Sequence, residues 1–156
     1  MNMITISMEL TKGRRMNEPT SEIFVDIACW FALLNQKDSL HIITNILYQD
    51  LMKKGSVFVT TSSIIEETSN ALSNPKFRSS LITFYHNICR SPRVPILHVD
   101  PELWEKGWRL FYKRDDKNWS FTDCVSFVVM NERSIKNALT SDKHFIQAGF
   151  SAMLQN

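Results

Sequence analysis

Asp26, Glu67, Asp123 and Asp142 are the acids of this chain that ask for a chemical reason. Asp26 closes the apolar run EIFVDI, and Asp123 stands at the front of WSFTDCVSFVVM, Trp119 to Met130. Seven of the ten residues from Phe121 to Met130 are apolar and fall all around a helical wheel, the mark of a core helix. A carboxylate buried without a partner is costly, so Asp123 is paired, sits at a protected end, or holds a cation. Capping is the plain reading, because Ser120-x-x-Asp123 matches a capping box and a first helical turn favours negative charge. Glu67 lies at the edge of an apolar stripe of Ile64, Ile65, Thr68, Ala71 and Leu72, where an acid has no capping role. Glu66 points almost opposite that stripe, and Ser63-x-x-Glu66 matches a capping box.

Several carboxylates forced together repel, and some take up protons unless a cation compensates. An all-oxygen set suits Mg2+ or Mn2+, and a metal held by a few carboxylates can activate a water against a phosphodiester. That is nuclease chemistry. Asp26, Glu67 and Asp142 would hold the metal or metals, Asp123 would complete the site, and Ser120, Thr122 and Thr61 would orient a water or a phosphate oxygen. Lys113, Arg114, Lys117, Lys76 and Arg78 would attract the substrate backbone.

Alternating strands and helices must position these groups. Glu22 to Ile27 reads as a strand with Asp26 at its C-terminal end, followed by the short apolar helix ACWFALL. A second helix starts from Asp38 with an Asp38 or Ser39 cap, carries Ile42, Ile43, Ile46, Leu47 and Leu51, and stops at Lys53-Lys54-Gly55. Ser56 to Thr60 is the next strand, and the cap pair Ser62/Ser63 opens the helix that carries Glu67. Pro75 to His98 contains no acid, interleaves Lys76, Arg78, Arg90 and Arg93 with aromatics, and buries Phe77, Leu81, Phe84 and Ile88. Its basic residues belong on the outer face, which also suits a phosphate backbone. Val94 to Val99 is a third strand near an edge. Asp100-Pro101 then starts a helix whose buried side is Leu103, Trp104, Trp108 and Phe111. Ile135 to Thr140 is a fourth strand with Asp142 just beyond it, and Lys143 to Phe150 is a connector or short helix. In such α/β sheets ligands bind beyond the carboxyl ends of the strands, where Asp26 and Asp142 both fall.

Composition is that of one globular domain: 44% hydrophobic, 22% charged, and no apolar run long enough for a membrane span. The net charge of +2 carries no weight by itself. Cys29, Cys89 and Cys124 are widely spaced with no CxxC, which argues against disulfides and zinc and makes them small core residues. The N-terminus lacks a secretory pattern, so the cytoplasm is the default location. Residues 1–21 form a tail of unassigned role, with Met16 an equal candidate for the start, and residues 22–156 form the domain.

The segments FVDIACWFALL, VTTSSIIEETSNAL, WSFTDCVSFVVM and LTSDKHFIQAGF, in this order, resemble the PIN-domain nucleases. More narrowly, they are similar to the VapC-like toxin ribonucleases of bacterial toxin–antitoxin pairs, over Ile23 to Phe150. The resemblance implies a three-layer α/β fold with a mostly parallel sheet of about four to five strands flanked by helices. It further implies Mg2+- or Mn2+-dependent RNA cleavage, a homodimer and inhibition by a protein antitoxin. The family's acids fall on Asp26, Glu67, Asp123 and Asp142, and Asp116 lies in a stretch that also looks like the family pattern. The chain departs from the family at Ile27-Ala28, where relatives often carry Thr-Ser or Thr-Gly, and loses a hydroxyl at the site's edge. A haloacid-dehalogenase-type phosphatase would need a second acid at Ala28. The other alternative is a non-catalytic PIN-like module that binds RNA or a partner protein while its acids cap and pair.

Overall fold

The computed structural model describes residues 20–155. The expected tail and the alternative start at Met16 lie outside the described residues, Thr20 and Ser21 excepted. Five strands of the described residues form one sheet: β1 (Glu22–Val25), β2 (Val57–Thr61), β3 (Ile96–Leu97), β4 (Asn137–Leu139) and β5 (Ser151–Ala152), in the order β3-β2-β1-β4-β5. Every pairing is parallel. Among the described residues seven α-helices flank the sheet: α1 (Ile27–Leu34), α2 (His41–Lys53), α3 (Ser62–Ala71), α4 (Arg78–Arg90), α5 (Pro101–Lys113), α6 (Phe121–Glu132) and α7 (Lys143–Gln147). A strand covered on both faces cannot alternate apolar with polar residues, and Ile23, Phe24, Val25, Phe58 and Val59 are accordingly all buried. No described helix is long and apolar enough to cross a membrane.

The chain builds the sheet outward from β1 through β2 to β3, then returns to place β4 on the other side of β1. The order therefore reverses between β1 and β4, and the carboxyl ends of these two strands flank the crevice where such folds bind ligands. Val25 is in register with Leu139, so Asp26 and Thr140 leave the sheet side by side. The Asp26 N–H reaches the Leu139 carbonyl at 3.4 Å, extending the ladder by one residue to the site.

Several elements differ from the expectations raised by the sequence. The helix α2 begins at His41 rather than Asp38, and Asp38 instead accepts the Leu40 N–H at 2.8 Å in the turn before it. Its buried side is Thr44, Tyr48 and Leu51, while Ile42 and Ile46 are exposed. The buried aromatic Tyr48 set the rotation of the helix, packing on Phe58 and Trp30 where isoleucines would leave the core half filled. Thr61 caps α3 by accepting the Ile64 N–H, and Ser62 instead accepts the N–H of Val99. Along α5, Trp104 and Phe111 are exposed and only Gly107 is buried. Arg93 is not on an outer face, because its guanidinium ties together the carbonyls of Met52 and Ser56. Cys29 and Cys124 are buried as expected, but Cys89 is exposed. The fifth strand and the helix α7 were left open by the sequence because both are too short to show a period.

Gly107 allows α5 to lie directly against α6. A Cβ there would stand 2.8 Å from Val125 Cγ2 and 3.1 Å from the Phe121 ring. Val125 is fully buried, so the clash is not relieved by rotating a side chain into solvent. Gly107→Ala is expected to destabilise the fold by about 1–3 kcal/mol despite alanine's better helix propensity. A chemical denaturation curve checks this, and an unchanged midpoint would show that the two helices have slack.

Candidate active site

Asp26 terminates β1, and its carboxylate is buried in the crevice at 5% exposure. The Thr140 hydroxyl donates to Asp26 Oδ2 at 2.7 Å while accepting the backbone N–H of Asp142 at 3.0 Å. One threonine thus clips the carboxylate after β1 to the chain turn after β4. Asp142 Oδ1 in turn accepts the N–H of His144 at 2.8 Å and caps the short helix α7. The His144 ring lies on the same side, with Nδ1 3.5 Å from Asp142 Oδ1 and 3.2 Å from Asp123 Oδ2.

Asp123 reaches this cluster from the third position of α6. The capping box read from the sequence is present: Asp123 N donates to Ser120 Oγ at 3.0 Å, and Ser120 N donates to Asp123 Oδ2 at 2.8 Å. Capping and convergence are therefore properties of one carboxylate. Glu67 arrives from α3, where the Thr122 hydroxyl donates to its Oε1 at 2.6 Å. Thr122 immediately precedes Asp123, so this bond fixes the glutamate to the entry of α6.

The electrostatics match the crowding. Burial pushes the Asp26 carboxyl up to about 6, against hydrogen bonds from Thr140 and the Ile27 backbone that favour its ionised form. The charges of Asp123 and Asp142 add to the rise. A buried acid facing two further acids is ionised at neutral pH only at a cost in stability, which a bound cation would offset. Ligand atoms of Asp123, Asp142 and His144 all lie within 4.8 Å of one another, a spacing that one ion can bridge. This donor set fits a divalent metal: carboxylate oxygens dominate it, a single imidazole joins them, and the nearby Cys124 is buried in the core.

The remaining sequence candidates divide. Asp26, Asp123 and Asp142 converge, and Glu67 stands beside them through Thr122. Ser120 and Thr61 are committed to helix caps, and Thr61 is fully buried. Asp116 is paired with Arg114 at 2.8 and 3.1 Å, and that guanidinium holds its carboxyl down at about 2. Arg114 is doubly occupied, because it also lies 4.8 Å over the Trp119 ring. Lys117 and Asp116 line a pocket of about 200 Å³ together with Asn118, Lys143, His144 and Gln147. Lys113, Lys76 and Arg78 are exposed on the surface. Two residues of the cluster were missed from the sequence, Thr140 and His144. The signal was there in Thr140-Ser-Asp-Lys-His144, because an acid that caps a helix has the residue two further on beside its own carboxylate.

Comparison with known proteins covers the segments that carry these acids. The PIN domain family matches residues 23–151. The 23S rRNA-specific endonuclease VapC20, from two strains of Mycobacterium tuberculosis, is 33% identical over 128 residues, 82% of this chain and 95% of the relative. The crystal structure of Mycobacterium tuberculosis VapC20, described as a Sarcin-Ricin loop cleaving toxin, superposes with a TM-score of 0.70 at 31% identity. That superposition covers 82% of this chain and 95% of the other.

Proposed function

The chain belongs to the PIN domain family, and on that premise we propose that it is a divalent-metal-dependent endoribonuclease, the toxin of a toxin–antitoxin pair. The observation that carries this reading is the Thr140 clip, which sets a buried carboxylate beside the acids of two other elements at the sheet's switch point. Asp26, Asp123 and Asp142 would hold Mg2+ or Mn2+, with Glu67 completing the site. Such an ion supplies charge neutralisation at a phosphodiester and lowers the pKa of a bound water. The protein's own contribution is placement. Thr140 aims Asp26, Thr122 aims Glu67, and the Ser120 cap aims Asp123. Lys117 and Lys143 line the adjoining pocket and would receive the RNA backbone there. Ribosomal RNA is the first substrate to test, because the similar endonuclease is specific for it. A protein antitoxin, a homodimer and residence in the cytoplasm belong to the same proposal.

The test is incubation of the purified protein with structured RNA in Mn2+, in Mg2+ and in EDTA. Cleavage with metal, its loss in EDTA and its return on adding excess ion are expected. RNA bound equally in EDTA and never cut would replace this reading by that of a non-catalytic binding module.

Thr122 offers a smaller, separate check. Thr122→Val removes the hydroxyl on Glu67 without touching another acid, and cleavage is expected to fall by about 10–100-fold. A rate equal to that of the unaltered protein would remove Glu67 placement from the mechanism.

A further inference from the structure

We propose that His144 Nδ1 is itself a ligand of the divalent ion held by Asp123 and Asp142, and that this nitrogen biases the centre toward Mn2+ over Mg2+. The inference rests on the metal-dependent reading of the site and deepens it. His144 Nδ1 lies 3.2 Å from Asp123 Oδ2 and 3.5 Å from Asp142 Oδ1. Adjacent ligands of an octahedral ion with bonds of 2.0–2.1 Å stand about 3 Å apart, so the ring nitrogen already occupies the separation that a shared ion requires. The position is held from two directions. The backbone N–H of His144 donates to Asp142 Oδ1, and Asp123 Oδ2 is pinned by the Ser120 N–H. Neither carboxylate can move far from the ring without breaking a helix cap.

The identity of the favoured ion follows from donor chemistry. Mg2+ is hard, sheds water reluctantly and takes oxygen ligands. Mn2+ accepts the same carboxylates, and as a first-row transition ion it also binds imidazole nitrogen. A centre of carboxylates alone leaves the two ions close in preference. Replacing one oxygen or water by His144 Nδ1 favours Mn2+. The same ring nitrogen lies within hydrogen-bond distance of Asp123 Oδ2.

Pulsed electron paramagnetic resonance of the Mn2+-loaded full-length protein reads the ligand directly, through the coupling of imidazole nitrogen to the manganese spin. The unaltered protein is expected to show that coupling, and His144→Ala to lose it. In parallel titrations His144→Ala and His144→Gln are expected to weaken Mn2+ binding by at least about tenfold and Mg2+ binding by much less. Mn2+ bound with no nitrogen coupling in the unaltered protein would overturn the proposal and leave the nuclease reading intact. Coupling that persists in His144→Ala would overturn it as well, by assigning the nitrogen elsewhere. Failure of the unaltered protein to bind either ion would instead overturn the metal-dependent reading from which the proposal starts.

Discussion

Asp26→Asn is expected to abolish cleavage and, at the same time, to make the metal-free protein more stable at neutral pH. The second effect follows from the sign of the pKa change. Asp26 is pushed from 3.8 up to about 6, mainly by burial. The folded state therefore binds its proton more tightly than the unfolded state does, and the associated stability is fully present below about pH 4 and lost as pH rises through about 6. The difference corresponds to about 3 kcal/mol of strain in the metal-free protein at pH 7. An uncharged amide of the same shape still accepts from Thr140 and carries no such cost. Thermal melts in EDTA should show the variant gaining on the unaltered protein between pH 4 and pH 6, with a constant advantage above. With Mn2+ the order should reverse, because the ion stabilises only the protein that presents the full carboxylate set. Cleavage should drop on the order of a thousandfold. A variant that melts no higher than the unaltered protein at pH 7 in EDTA would show that Asp26 is not strained, and the electrostatic account of the crevice would fail with it.

The four acids were legible because each sits at a place where the sequence pattern itself changes: the end of a strand, the edge of a helical stripe, the start of a buried helix. Those transitions are local, and local patterns survive in a single sequence. The parallel order of the strands was legible for the same reason, as a consequence of strand and helix alternation. What lay beyond reach depends on contacts between distant segments. The rotation of α2 turned on Tyr48 finding Phe58 and Trp30, so a stripe of isoleucines that looks like a core face stands in solvent. Asp116, a weaker candidate than Asp123, also lies in a stretch that looks like the family pattern, yet Arg114 captures it two residues away. His144 was passed over because a five-residue helix has no visible period, although its neighbour Asp142 was already singled out. The geometry adds to the sequence mainly by saying which acid is free to act and which is already spent.

Asp123 presents the sharpest case, because its two roles can be separated by a pair of variants. Ser120→Ala removes the hydroxyl that accepts the Asp123 N–H but leaves the carboxylate in place. It is expected to cost about 1 kcal/mol of stability, as the loss of an N-cap does, and to retain most of the cleavage rate. Asp123→Asn keeps an oxygen that can accept the Ser120 N–H, so the cap and the melting temperature should change little. The negative charge is gone, however, and one of the two carboxylate oxygens is replaced by an amide nitrogen that does not bind a cation. Mn2+ binding should weaken and cleavage should fall on the order of a thousandfold. If Asp123 were only a cap, neither variant would disturb the rate, and the two would differ in stability alone. A helix start that favours negative charge explains why one residue serves both ends, since an acid suits the first turn of α6 while the cap fixes its direction. The capping box is thus the device that delivers a charged oxygen to the crevice, and losing the charge should matter far more than losing the cap.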